Sequence, residues 1–365
     1  MNTPNMGKKI GWLLLALFAV GRVYSQSYGV AVDERVELLS IAFYLGGNEE
    51  YSHIPEAYKK RIDAHFTRYA DHKLIRRLVP AYRKYCNIGW NAPVSLALQL
   101  EISPKGKIAW IPNVQTANVD PRWQIVNSRK FFNKLNDFYR KAKFREFCRD
   151  SREFYDEAVA RMETCLETTV DPSWFDAYFG FGAPKRFNIV LGLCTGYHNY
   201  GLKTTYHDND RQDLYCVVGS WRTDDEGMPA YPPGYYDWLL VHEFSHSYCN
   251  PLMAPYIGEL VKYAPAYRTM AEERGCPDKL GGGWENILYE ALVRACTIRY
   301  FEQKGTYPAA LVGWDRSQGV FFTKELSDWL VRYESNRDKY PTLESFMPEI
   351  MKFYDDYFAA YVAVQ

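Results

Sequence analysis

The sequence predicts an α+β fold, mainly α-helical, with a small β-sheet packed on one central apolar helix. Three observations predict it. Apolar residues recur at three- and four-residue steps through most of the 365 residues. Two short, partly β-branched runs, Phe187 to Cys194 and Leu214 to Trp221, interrupt that period. An apolar segment, Trp238 to Val241, opens directly into His242-Glu243-Phe244-Ser245-His246.

At the N-terminus, Lys8 and Lys9 precede an apolar core from Ile10 to Val20, shorter than the ~20 residues that span a bilayer. Val23 and Ser25 occupy the restricted positions of a cleavage site in Val23-Tyr24-Ser25-Gln26. Residues 1–25 therefore read as a secretory signal peptide, with an uncleaved anchor as the competing reading. The chain is expected to be exported, periplasmic or secreted, with no stable membrane span after cleavage. Cleavage removes three of the 44 basic residues, Lys8, Lys9 and Arg22, and none of the 44 acidic ones. The remainder is nearly neutral and has no basic cluster interleaved with aromatics, which argues against a nucleic-acid partner.

Residues 26–125 read as a helical region. Val36 to Leu45 and Tyr58 to Tyr69 carry the helical period, Gly46-Gly47-Asn48 breaks the first helix, and Ile102 to Lys107 reads as a turn. Residues 126–310 form the expected core. Long helices run through 128–167, Asp171-Pro172 starts another, and Gly180 and Gly182 end it. The two strands follow, and the second is expected to offer an edge to an extended peptide. Pro232-Pro233-Gly234 then leads into the pentapeptide helix, which Asn250-Pro251 is expected to close. Beyond Gly281-Gly282-Gly283, the segment Trp284 to Tyr300 is apolar on nearly every face, as in a buried helix. Residues 311–365 add C-terminal helices near 323–335 and 343–360.

The eight cysteines, at 86, 148, 165, 194, 216, 249, 276 and 296, form no CxxC pair, so a cysteine zinc knuckle is unsupported. Cys194 and Cys216 lie in neighbouring candidate strands and are the pair open to bridging. Cys249 and Cys296 read as small core residues.

The chemistry gathers at the pentapeptide. Residues four apart share one helix face, so His242 and His246 can ligate one metal ion while Glu243 reaches the water on it. This is the donor pattern of zinc-dependent peptide hydrolysis. Catalytic zinc takes three protein ligands and keeps a fourth position open. No third His follows at short spacing, which leaves a carboxylate. Glu290 is favoured because it sits in the most apolar helix, where an unpartnered carboxylate is costly. Glu285 competes, and the two point about 140° apart on one helix. Arg294, one turn after Glu290, either braces that ligand or forms an ordinary i,i+4 ion pair. Tyr197, His198 and Arg294 are the candidate oxyanion donors. His207 reads as a second metal ligand or a solvated turn.

Arg35 to Leu45 with Asn48-Glu-Glu-Tyr51, His242-Glu-Phe-Ser-His-Ser-Tyr-Cys-Asn-Pro251 and Glu290-Ala-Leu-Val-Arg-Ala295 together resemble an exported bacterial family catalogued as domain of unknown function 4932. The resemblance implies a zincin-like core and a gluzincin-type metallopeptidase, and the family pattern places a Glu where Glu290 stands. The expected function is an exported zinc metallopeptidase acting on a peptide or protein substrate, with Zn2+ on His242, His246 and Glu290 and Glu243 as general base. The alternative is a zincin-like, non-catalytic binding module for a surface polymer or protein partner.

Overall fold

A computed structural model of the chain describes residues 28–364 except 127, 167–169, 181–184, 209, 233 and 277–282. The expected signal peptide, Gly182, Pro233 and the first two glycines of 281–283 lie outside the described residues. The class is as expected, α+β and mainly helical, with one apolar core running from Val36 to Phe358.

The N-terminal part comprises β1 (Gly29–Ala31), α1 (Glu34–Leu45), α2 (Glu56–Phe66), α3 (Val79–Cys86) and α4 (Asn91–Ala97). Asp33 caps α1 by accepting from the Arg35 N–H at 2.9 Å. The Arg35 guanidinium returns to Asp33 and also donates to the Leu100 carbonyl at 2.9 Å, tying the helix start to the next layer. Gly46 caps α1, and Gly47 follows at φ +86°, a conformation glycine adopts without a Cβ penalty. The expected turn at 102–107 joins a hairpin of β2 (Leu100–Ile102) and β3 (Ile108–Trp110). Three residues per strand are too few to display an alternation. The helical stretch that follows divides into α5 (Ser128–Lys141), α6 (Phe144–Asp150) and α7 (Arg152–Cys165).

The main sheet adds β4 (Lys185–Gly192), β5 (Tyr200–Thr205) and β6 (Gln212–Gly219) in the order β1-β4-β6-β5. β1, β4 and β6 run parallel, and β5 is antiparallel to β6. Strand β5 escaped the sequence reading because Tyr-Gly-Leu-Lys-Thr-Thr is neither an apolar run nor an alternation. Its presence corrects the edge assignment. The 214–221 strand lies between β4 and β5, so the strand at that side of the sheet is β5. All eight cysteines are free. Cys216 pairs in register with Ile189, and Cys194 lies five residues further along, roughly 16 Å at strand rise, beyond disulfide reach.

Asp171 caps α8 (Pro172–Phe179) through the Ser173 N–H, and Gly180 ends it. Then come α9 (Tyr236–Met253), α10 (Ile257–Leu260), α11 (Ala264–Glu273), α12 (Gly283–Gln303), α13 (Ala309–Ser317), α14 (Thr323–Glu334) and α15 (Leu343–Val364). Helix α9 is fixed between sheet and helices by aromatic packing: Phe244 meets Phe187 at 5.1 Å between centroids, and Tyr248 stacks on Phe179 at 4.5 Å. As expected, α12 is buried from Ile287 to Tyr300 along most of its length. Cys249 and Cys296, both 0 % exposed, face each other across α9 and α12.

Asn250-Pro251 does not close α9, which continues to Met253. Proline lacks the N–H that would bond the carbonyl four residues back, here Ser247. The Lys203 ammonium of β5 donates to that carbonyl at 3.4 Å, so the helix passes the proline without orphaning its acceptor. Among the described residues no helix is long and apolar enough to cross a membrane.

Candidate metal centre

His242 and His246 leave one face of α9 toward Glu290, which α12 presents from the opposite side. The two imidazole Nε2 atoms lie 3.2 Å apart. Glu290 Oε2 is 3.6 Å from His242 Nε2, and Glu290 Oε1 is 3.5 Å from His246 Nε2. A tetrahedral zinc with ligands at about 2.1 Å separates them by about 3.4 Å. The spacing of the two imidazole nitrogens is close to that value, and each of them lies that far from one of the two Glu290 oxygens; with one ligand atom taken from each residue, the three lie within 4.8 Å of one another.

The protonation pattern agrees. Burial lowers the His242 imidazole to about 3, and the neighbouring His246 and Arg294 act in the same sense against the attraction of Glu290. His242 is therefore a neutral imidazole with a lone pair to offer. Burial pushes the Glu290 carboxyl up, while the charges of a protonated His242, of Arg294 and of His246 pull it down; with His242 neutral, the Arg294 guanidinium is the cation that keeps Glu290 ionised. Two lone pairs and a carboxylate converging at 3.2–3.6 Å repel one another, and a cation between them removes that repulsion. Among the described residues this is the one group of three or more His, Cys, Asp or Glu arranged to hold a metal.

Outer contacts fix these ligands. Asn250 Oδ1 lies 3.1 Å from His246 Nδ1, so the ring donates there and turns Nε2 inward. The Arg294 Nε donates to Glu290 Oε2 at 2.8 Å, and its Nη1 reaches Asp315 Oδ1 on α13 at 2.5 Å. The i,i+4 ion pair read from the sequence is thus real, and it braces Glu290. Burial pushes Asp315 up to about 6 despite the Arg294 charge. Sequence reasoning missed both outer residues. Asn250 had a signal, its place four residues after His246, whereas nothing local marks Asp315, which only the fold brings to the site.

Glu243 is buried beside the ligands, and its carboxyl is raised to about 8, first by burial and then by the Glu290 charge, while the Gly201 N–H and Arg294 pull it down. Strand β5 comes this close because residue 201 is glycine. A Cβ there would lie 1.9 Å from the Glu243 carbonyl oxygen and 2.9 Å from His246 Cβ.

The remaining candidates separate. Glu285 is exposed and only accepts from the Tyr289 hydroxyl at 3.5 Å. Arg294 is committed to Glu290 and Asp315. Tyr197 is exposed and stacks on His53 at 3.5 Å, while His198 lies edge-on to Trp90 at 4.7 Å. His207 lies in an exposed turn, its backbone N–H on the Asn113 carbonyl. His65 and His72 bond to the Ala142 carbonyl and to Asp137.

No curated protein and no solved structure matches the chain. The family described as Domain of unknown function (DUF4932) matches residues 29–353, a span that contains all of β1 to α14, both helices of the metal centre and the Asn48-Glu-Glu-Tyr51 segment. The chain belongs to that family.

Proposed function

We propose that the protein is an exported zinc-dependent metallopeptidase, periplasmic or secreted, with a zincin-like core. The observation that carries the proposal is the convergence of His242, His246 and Glu290, one ligand atom from each lying within 4.8 Å of the others, with a second buried acid, Glu243, beside them. Zinc held there supplies Lewis-acid polarisation of a water and of a scissile carbonyl. Without a metal, burial and the Glu290 charge raise the Glu243 carboxyl to about 8; a dication bound beside it would draw it back to the ionised form, in which it would take the water's proton and pass it to the leaving amine. Asn250 orients His246, and Arg294 with Asp315 holds Glu290. Strand β5 abuts Glu243 at Gly201.

The test is zinc analysis together with chelator-sensitive cleavage of a mixed peptide library, using Glu243→Gln as control. Stoichiometric zinc, cleavage by the native chain and none by Glu243→Gln is the expected result. Zinc with no cleavage by the native chain points instead to a non-catalytic binding module, and cleavage at the native rate by Glu243→Gln removes the base from the mechanism.

A further inference from the structure

The family segment Asn48-Glu-Glu-Tyr51 takes no part in the metal centre, yet it clamps one loop residue from both sides. Glu50 Oε1 accepts from the Trp90 N–H at 3.3 Å, and the Tyr51 hydroxyl donates to the Trp90 carbonyl at 2.5 Å. Arg83 Nε lies 3.3 Å from the same Glu50 oxygen. Residue 89 is glycine because a Cβ would sit 1.9 Å from it. Thus gripped, Trp90 is held at φ +56° and ψ −126°, a region that costs a bulky residue about 1–3 kcal/mol. Its ring gains little burial in return, remaining 42 % exposed.

The loop between β4 and β5 is held as firmly. A Cβ on Gly196 would lie 2.2 Å from the Glu50 carbonyl oxygen, the Gly219 N–H donates to Asn199 Oδ1 at 2.9 Å, and the Thr195 hydroxyl donates to the Gly192 carbonyl at 2.9 Å. This loop presents Tyr197, 53 % exposed, on His53, and His198 against Trp90. Rigid backbone under exposed rings is the arrangement of a binding surface. Tyr197 precedes Gly201 by four residues, so chain geometry places it within about 14 Å of the strand position touching Glu243. Burial lowers both His53 and His198, which leaves the surface uncharged near neutral pH.

We propose that Trp90, Tyr197, His198 and His53 form a substrate subsite that takes an aromatic or large apolar side chain within about four residues of the scissile bond. The subsite rests on the peptidase reading, and it explains why strain is maintained at Trp90. An extended peptide advances about 3.3–3.5 Å per residue, so at most about four residues separate this surface from the strand position touching Glu243.

The test uses the full-length, zinc-loaded protein with Trp90→Gly and Tyr197→Ala. Glycine adopts φ +56° freely, so Trp90→Gly relieves strain while deleting the ring, and its thermal midpoint equals or exceeds that of the native chain. In the peptide library the native enzyme enriches Phe, Tyr, Trp or Leu at one position within about four residues of the cut. Each variant loses about tenfold of that enrichment, with zinc content and the other positions unchanged. Enrichment surviving in both variants, or no such preference in the native enzyme, overturns the subsite. A second measurement does not depend on cleavage: retention on zinc-loaded Glu243→Gln protein of two synthetic octapeptides differing only by Phe or Ala. Stronger retention of the Phe peptide, lost on adding Trp90→Gly, supports the surface even if no peptide is cut and the peptidase reading falls. Equal retention of both peptides, or retention of oligosaccharides instead, overturns it.

Discussion

Glu37 and Glu290 are both carboxylates inside the fold, one beneath the N-terminal helices and one between α9 and α12, and they keep opposite company. Glu37 is fully buried and faces donors: the Tyr58 hydroxyl at 2.8 Å, itself 2.7 Å from the Tyr155 hydroxyl, and the Leu193 N–H at 3.0 Å. Burial outweighs these donors and raises its carboxyl to about 8, so near neutral pH it is a protonated, hydrogen-bonded joint between α1 and the end of β4. Glu290 is kept ionised and faces two imidazole lone pairs. A buried acid among donors is complete in itself, whereas acceptors converging on a common point are complete only with a cation. The difference separates a structural joint from a cluster that could hold a metal ion without reference to any motif.

The sharpest break of that contrast is Glu290→Ala, which removes one of three ligands. Zinc affinity, measured by competition with a chelator, should fall about 10³-fold, a third ligand's share of typical zinc binding free energies. Affinity within tenfold of native would place the metal elsewhere. Glu37→Gln should leave zinc unchanged and act on stability instead. As pH rises from 4.5, the unfolded carboxylate ionises while native Glu37 stays protonated up to about 8, so the native chain loses stability across that window and the loss levels off above it. At about 1.4 kcal/mol per tenfold difference in proton affinity, the full loss is on the order of 5 kcal/mol. Glu37→Gln mimics the protonated acid and should flatten that decline in denaturant melts at pH 4.5 and 8. Parallel slopes for the two chains would show that Glu37 is ionised in both states.

Smaller effects test the walls of the metal centre. Gly201→Ala puts a methyl against the Glu243 carbonyl, and overpacking of this kind costs about 1–3 kcal/mol. A chemical-denaturation midpoint unchanged from native would show that β5 and α9 have room to part. Asp315→Asn weakens the grip on Arg294 and hence on Glu290. Zinc affinity should drop about tenfold, as for other outer contacts of metal ligands, and loss of helix content in place of that drop would mark Asp315 as a packing residue.

Much of this arrangement was legible in the chain because it is local. His242, Glu243 and His246 lie within one turn, Asp171-Pro172 and Gly180 bracket α8, and the apolar run after Trp284 announces a buried helix in which Glu290 stands out. The missing parts are those that tertiary contact creates. β5 is a strand because β6 and α9 flank it, α9 passes Pro251 because Lys203 supplies what the proline withholds, and Asp315 matters because α13 folds back on Arg294. Trp90 belongs with these, since no sequence rule would place a tryptophan at positive φ.

Lys203 on Ser247 and Gly201 on Glu243 attach one strand to one helix at two points. A single attachment fixes a distance, whereas two resist rotation. A twist of β5 about its own axis is therefore transmitted to the turn of α9 that bears His246, and strand and helix act as one lever. With the loop before Tyr200 also hydrogen-bonded in place, loop, strand and helix meet a substrate as one body.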